Sequence, residues 1–530
     1  MPTTLLTHLF FEQGCLLGPD VRLIAKLVIL LNLDAVRVRG ALSVGVRLPE
    51  EIAKKTLTKL SYRKLEALNS KGPLLALSLS ILTLVVLGAI ENLGISTAMP
   101  IVERQFGHVE LYGWVFAAYS LSSLFGGAFF AVVGDRYSLR RGLQLAVGVF
   151  ALGLLLGGVS ISMATLVGAR VVQGFGFGGF AVLPYTMISR YFEAHQKGKM
   201  LAAMASAWIV PSLFIPPIAG MISQSIGWRY VFIGVVPIAA IAGLFADSAV
   251  RKIDRDNRSQ GQRPALSEVL SRSLAGLGTA ISIGLIIVSM SMHGKTAGRF
   301  TLVFGVVLFV FSVVRLLLKA TFYRRVDSVL ILLARGLSSF AFFGIESFLP
   351  FVLFSVKKMP LTEAGLVLTA SSFSWSAGSW FQARSKVLRS FKVKVSLGVS
   401  VFIFSLGMLW IDLSVTYAPG WVSVVAWFVA GAGLGVVYPS VTLAGLASVK
   451  QGSDSQMSSL LQIFDTGGFA VATGVIGALL SKGAVTAHLD LRVVRYASNF
   501  EEAILVAAFV ATGAVLSVLA GRFRFLGASS

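Results

Sequence analysis

This chain holds one cysteine, Cys15, and five histidines, at positions 8, 108, 195, 293 and 488. One thiol excludes an internal disulfide framework and a cysteine-rich metal centre. The histidines share no ligand spacing, so neither a metal ion nor a cofactor is expected. Charge is scarce as well: Asp, Glu, Lys and Arg make up 13% of the residues, about half the usual share. Hydrophobic residues make up 55% and the mean hydropathy is +0.81. Apolar runs long enough to cross a bilayer recur from residue 74 to residue 521. A chain of 530 residues with that pattern reads as a polytopic all-α membrane protein, not as a set of soluble domains.

What charge there is has one dominant sign, with a formal net charge of +22. In a soluble protein that excess would suggest nucleic acid. Here the excess marks topology, and no nucleic-acid partner is expected. The stretch Gly134-Asp135-Arg136-Tyr137-Ser138-Leu139-Arg140-Arg141 places three cations in a tight loop between the uncharged runs 112–133 and 143–160. A loop this basic stays on the cytoplasmic side, which fixes the direction of the flanking spans. Threading outward from it puts most of the 46 Lys and Arg on the same side. The expected location is the plasma membrane.

Residues 1–73 differ in kind, with Pro49, scattered glycines and charges of both signs. They read as a cytoplasmic extension that is poorly ordered, with residues 50–68 able to form a basic amphipathic helix on the inner leaflet. Six spans follow, at 74–99, 112–133, 143–160, 164–187, 200–223 and 228–246, forming an N-terminal bundle over 74–246. A charged cytoplasmic linker covers 247–272. Two further apolar runs, 273–292 and 300–318, form a transmembrane hairpin over 273–320. Six more spans, near 331–356, 362–382, 395–411, 420–447, 456–480 and 502–521, form a C-terminal bundle over 331–521. The tail 522–530 carries Arg522 and Arg524. An even total of fourteen helices leaves both termini cytoplasmic. The halves echo each other: one offset relates Glu91 to Glu346, Gly178 to Gly433 and Pro184 to Pro439. The architecture is therefore two six-helix bundles with an inserted hairpin.

Ionisable residues inside spans are costly to insert, by about 2.5–3.5 kcal/mol each, and mark function by default. Glu91 lies in Gly88-Ala-Ile-Glu91-Asn92-Leu-Gly94, among small residues that let it face a cavity or a close neighbour. A carboxyl there can take a proton from one side and release it to the other. Arg170 falls at a matching depth in its own span and is the expected partner; it shares a helical face with Gln173, Gly174 and Phe177. Glu346, the repeat image of Glu91, and Asp465 are further candidates for proton coupling or for binding a substrate cation. Arg335 lies near the inner surface and is expected to snorkel there. Asn92, Gln173, Phe177, Tyr185, Trp208, Phe342, Trp375 and Gln462 are candidate cavity residues, with Phe343 beside them. Gly174-Phe-Gly176-Phe-Gly178-Gly179 fits a dinucleotide fingerprint, but it lies inside an apolar span without a preceding strand. Its glycines serve helix packing instead. Pro211, Pro216 and Pro217 each remove a backbone donor from the fifth span and bend or break it.

These stretches resemble the fourteen-helix drug:proton antiporter branch of the major facilitator superfamily. The basic loop is similar to that superfamily's signature between its second and third spans, matched by Asp135, Arg136, Arg140 and Arg141, with Ala131 and Ser138 at glycine positions. Glu91 and Pro100 match the first-span motif, with Glu for the usual Asp. Arg170, Gln173, Gly174 and Gly176 match the fourth. Pro211, Pro216 and Gly220 fall in a stretch similar to the fifth-span antiporter motif, with Ile215 and Ala219 where glycine is usual. Gly227-Trp228-Arg229 and the segment from Ala364 through Trp375, Gly378 and Arg384 also look like this branch, and the inserted hairpin is its hallmark. The resemblance covers about residues 74–521. It implies alternating access, with two bundles rocking about a central site and Asp135, Arg136, Arg140 and Arg141 latching the cytoplasmic side as a gate.

The resulting expectation is a proton-coupled exporter of amphipathic small molecules, cations among them. It is a monomer in the bilayer, partnered by substrate and protons, and not an enzyme. The alternatives are a proton symporter for uptake of a small nutrient, and a membrane sensor or scaffold with the same fold.

Overall fold

The computed structural model describes residues 50–136, 138–256, 266–291, 296–318, 326–385, 390–415, 419–449, 454–482, 489–521 and 523. The chain divides into two compact units, Met1–Gly72 and Pro73–Ser530. In the first unit the described residues are the opening turns of a long helix; the expectation for residues 1–49 lies outside the described residues. All regular structure among the described residues is helical. In order the α-helices are α1 (Glu50–Phe106), α2 (Tyr112–Arg136), α3 (Leu139–Gly158), α4 (Met163–Tyr191), α5 (Ala194–Ser206), α6 (Ile209–Ile222) and α7 (Arg229–Asp256). Then come α8 (Leu266–Ser291), α9 (Thr296–Leu318), α10 (Val326–Ser355), α11 (Leu361–Arg384), α12 (Phe391–Ser414), α13 (Trp421–Ala447), α14 (Asp454–Ser481) and α15 (Leu489–Ala520).

Eleven helices among the described residues are long and apolar enough to cross a membrane, so this is a multi-pass membrane protein. The expected fourteen spans include three that fall short of that measure. In α8 and α9 the apolar described stretches are Gly276–Ser289 and Thr296–Ser312. In α11, serines at 371, 372, 374, 376 and 379 dilute the hydropathy. Those serines satisfy themselves inside the helix pair: Ser372 and Ser376 Oγ donate to carbonyls one turn back, and Ser379 Oγ donates to the Gly435 carbonyl.

The expected fifth span is broken into α5 and α6 at Ala207–Trp208. Pro211 has no N–H to give the Ala207 carbonyl, and its ring crowds that carbonyl. The helix restarts with Ser212 N bonded to Trp208 O. Pro216 and Pro217 lie within α6, which ends in a π turn over Ser223–Gly227, where Gly227 adopts φ +114°.

Glycine decides how closely the helices approach. α2 and α4 touch backbone to backbone: a Cβ on Gly126 would overlap the Phe175 carbonyl, and one on Gly174 or Gly178 would overlap the carbonyl of Tyr119 or Ser123. α11 and α13 repeat the construction. There a Cβ on Gly378 would meet the Ala432 carbonyl, and one on Gly431 or Gly435 would meet that of Ser371 or Trp375. This packing corrects the repeat register read from sequence. Gly433 lies against α12, as Gly176 lies against α3, so Gly433 corresponds to Gly176 and Gly435 to Gly178. Sequence spacing matched the wrong glycines because each run has several, two residues apart.

The first-half helices α2, α3, α4 and α7 pack together, as do α10 to α15 in the second half. The halves meet through α2 against α14 and α6 against α11. Much of this contact lies at the end of the fold where α2 begins. There Tyr112 packs on Phe348 and Phe351, with ring centroids 5.2 and 5.0 Å apart. Gly113 lies against Thr473 and Gly477, and Gly220 against Thr362. α8 lies along α2 and α14 together, with Ala280, Ile283 and Ile287 packed among Ala117, Leu121 and Ala470.

Candidate functional site

The α2–α4 glycine seam brings α4 close enough for Arg170 to reach α1. Glu91 is 0% exposed and Arg170 is 1% exposed, and they form an ion pair between Arg170 Nη1 and Glu91 Oε1. Three further contacts complete the cluster. Tyr119 Oη donates to Glu91 Oε2 at 2.8 Å, Gln173 Nε2 donates to Glu91 Oε1 at 3.1 Å, and Arg170 Nη1 donates to Gln173 Oε1 at 2.7 Å. Arg170 Nε donates to the Val115 carbonyl at 3.1 Å, and the guanidinium lies 3.9 Å from the centre of the Tyr119 ring. A buried ion pair survives when its remaining lone pairs and protons are satisfied, and here helices α1, α2 and α4 each contribute. Gly88 makes the room: a Cβ there would come within 2.9 Å of Phe177, which packs on Tyr119 and Phe180.

A second carboxylate–guanidinium–tyrosine cluster stands in the other half. Arg335 on α10 bonds both Asp465 oxygens on α14, at 3.1 and 3.4 Å, and donates to Thr442 Oγ1 at 3.0 Å. Tyr438 Oη donates to Asp465 Oδ1, and the Arg335 guanidinium lies 3.6 Å from the Tyr438 ring centre. The side chains of Arg335 and Asp465 are 14% and 17% exposed. This corrects the expectation that Arg335 snorkels to the surface. A partner on a distant helix offers the guanidinium two oxygens inside the protein, which position along one helix cannot reveal.

Glu346 on α10 is partly buried and accepts from Ser371 Oγ at 2.8 Å and from Trp427 Nε1 at 3.3 Å, both on Oε1. The cavity candidates divide. Gln173 and Phe342 are enclosed: Gln173 belongs to the Glu91 cluster, and Phe342 stacks on Trp427 with centroids 5.0 Å apart. Phe343 and Trp375 are partly buried, 5.9 Å apart, and both meet Tyr438. Tyr185 and Trp208 are 37% and 40% exposed, Asn92 is partly buried, and Gln462 donates to Thr466.

In the basic loop, Arg140 bonds both oxygens of Asp247 on α7, at 2.6 and 3.2 Å. Gln144 and Arg251 bond the same carboxylate at 2.9 and 3.3 Å. Arg141 is exposed; the side chains of Asp135 and Arg136 lie outside the described residues. Pro211, Pro216 and Gly220 are buried in α6. Sequence reasoning missed Tyr119, Tyr438, Ser371, Trp427 and Asp247. A tyrosine or serine inside an apolar run carries no charge to draw notice, and Asp247 stood at the edge of a charged stretch.

No group of three or more His, Cys, Asp or Glu side chains that could hold a metal ion occurs among the described residues. Comparison with known proteins is consistent with the membrane architecture. The family model of the Major Facilitator Superfamily matches residues 79–473. The efflux pump FUS6 of Gibberella fujikuroi is 31% identical over 163 residues, 30% of this chain and 29% of that protein. The chain therefore spans under a third of the length of that relative. Multidrug resistance protein 3 of Bacillus subtilis is 24% identical over 404 residues, 73% of this chain and 76% of that protein. Among solved structures, a bacterial homolog of the human lysosomal transporter Spinster, inward-facing and occupied, superposes with a TM-score of 0.57 at 14% identity. That alignment covers 83% of this chain and 95% of the other. The E. coli xylose transporter XylE, partially occluded and inward open, gives 0.53 at 15% identity over 82% and 96%. At such identities these structures speak to the fold.

Proposed function

Because this chain belongs to the major facilitator superfamily, we propose that it exports amphipathic small molecules across the plasma membrane in exchange for protons. The fold in this reading is two six-helix bundles, 74–246 and 331–521, joined by the linker 247–272 and the hairpin 273–320. That makes fourteen spans, with both termini and the tail 522–530 cytoplasmic. The basic loop lies on the cytoplasmic side, so the end where α2 begins is external. The protein acts as a monomer and catalyses no covalent chemistry. Its relatives' names, an efflux pump and a multidrug resistance protein, favour export.

The observation that carries the proposal is the sealed Glu91–Arg170 pair, held by Tyr119 and Gln173 across three helices. Ionised, Glu91 ties α1 to α4. Protonated, it releases its claim on Arg170, which retains the Val115 carbonyl and Gln173 Oε1. The proton state of one carboxyl is thereby converted into a change in how three helices of one bundle hold together. Asp465 with Arg335 and Tyr438 repeats that construction and is a second proton site. Arg140 on Asp247, with Asp135, Arg136 and Arg141 beside it in the chain, serves the cytoplasmic gate. Pro211, Pro216 and Gly220 shape the α6 face that meets α11.

The test is reconstitution with an imposed proton gradient, following lumenal pH as hydrophobic compounds are added. Antiport predicts proton movement opposite to the compound, and Glu91→Gln abolishes it while leaving compound binding in place. Co-directional movement would make the protein a symporter. Unchanged pH dependence in Glu91→Gln would remove Glu91 from the mechanism.

A further inference from the structure

The two halves build the same carboxylate site, with one part exchanged. In the first half, Tyr119 lies seven residues before Gly126 on α2, and Arg170 lies four before Gly174 and eight before Gly178 on α4. In the second half, Ser371 lies seven residues before Gly378 on α11, and Trp427 lies four before Gly431 and eight before Gly435 on α13. The glycine contacts fix these as structural equivalents, since each glycine meets the corresponding carbonyl of the facing helix. Tyr119 and Arg170 bond Glu91; Ser371 and Trp427 bond Glu346. The hydroxyl is kept. The guanidinium of Arg170 is replaced by the neutral indole of Trp427, and Gln173 by Ala430, three residues further on in each helix.

Glu346 consequently has no cation among the described residues. The most enclosed carboxylates each have one: Glu91 has Arg170, Asp247 has Arg140 and Arg251, Asp412 has Lys357, and Asp465 has Arg335. Both hydrogen bonds to Glu346 end on Oε1. Oε2 takes none among the described residues. One turn along α10, Phe343 presents a partly buried ring beside Trp375 and Tyr438. A partly buried carboxylate with one oxygen free of hydrogen bonds, beside aromatic faces, is the chemistry that holds a lipophilic cation.

We infer that Glu346 is the recognition site for the positive charge of a transported monovalent organic cation, whose apolar body lies on Phe343 and Trp375. The cargo supplies the charge that Arg170 supplies to Glu91 in the other half. This inference rests on the transporter reading and assigns the carboxylates different work: Glu91 carries the proton, and Glu346 selects the cargo.

The test is equilibrium binding to the purified full chain in detergent, using tetraphenylphosphonium and the neutral triphenylphosphine oxide. Glu346→Gln keeps an acceptor for Ser371 and Trp427. It is expected to weaken tetraphenylphosphonium about tenfold or more, the scale of one lost charge contact, and to leave the oxide within about twofold. Glu346→Asp should recover part of the phosphonium affinity. Trp427→Arg restores the missing cation and should lose phosphonium as Gln does. Equal loss of both probes in Glu346→Gln, unchanged phosphonium binding, or a wild-type protein without preference for the cation would overturn the inference. Proton movement driven by the oxide in reconstituted vesicles tests the exporter reading separately.

Discussion

Replacing Arg170 by methionine removes the guanidinium while keeping most of the side chain's volume. Glu91 would keep Tyr119 Oη at 2.8 Å and Gln173 Nε2 at 3.1 Å but lose its only ion-pair partner among the described residues, at 0% exposure. Stranding one member of a buried pair costs about 3–5 kcal/mol. The carboxyl can limit that cost by taking up a proton, whereas the reverse change, Glu91→Gln, strands a guanidinium that cannot shed its charge. Arg170 then still has the Val115 carbonyl at 3.1 Å, Gln173 Oε1 at 2.7 Å and the Tyr119 ring at 3.9 Å. Losing one charged hydrogen bond is worth about 1.5–3 kcal/mol. With both charges gone no buried ion is left alone, so the double variant should be more stable than Arg170→Met. A coupling of roughly 1–3 kcal/mol is expected, within the range for residues in one network. The assay is reversible unfolding in mixed micelles of a mild detergent and dodecyl sulfate, run on wild type, both single variants and the double. Additive single effects, within about 0.5 kcal/mol, would refute the reasoning, since they would mean that the two charges are separately solvated.

Two further outcomes follow from the packing and from the basic loop. Gly178→Val puts a branched side chain against the Ser123 carbonyl and the Gly127 backbone; overpacking of this kind costs about 1–3 kcal/mol, and the lowered unfolding midpoint should come with loss of transport, since α2 and α4 carry Tyr119 and Arg170. Asp247→Asn removes the charge that Arg140 and Arg251 share. Asp247 is buried although both guanidiniums reach water, so stability should fall by about 1.5–3 kcal/mol, and labelling of a cysteine placed at Arg141 should rise if that pairing holds the loop; unchanged labelling would count against the gate.

Composition and periodicity carried the membrane class, the approximate place of eleven spans and the identity of the charged residues. Glu91 and Arg170 were legible because an ion inside an apolar run has few explanations and their depths agree. The partners of those ions were less legible. Tyr119 and Val115 meet Arg170 only because Gly126, Gly174 and Gly178 let two backbones touch, and that depends on helix rotation. Arg335 was misread for the same reason, its partner being on α14. The split of the fifth span was foreshadowed by its prolines, but its place, one turn before Pro211, follows from the carbonyl that proline leaves unbonded.

By itself the sequence determined that the chain crosses a bilayer many times, which loop lies on the basic side, and which few ionisable groups are held within lipid-thickness helices. Those properties are set by local transfer energies, which add along the chain. Only the tertiary structure decided that Glu91 is paired with a cation within the protein while its counterpart Glu346 has none among the described residues. That difference turns on Arg170 against Trp427, brought to equivalent places by glycine contacts between helices, and no local energy records which side chains a folded backbone sets face to face.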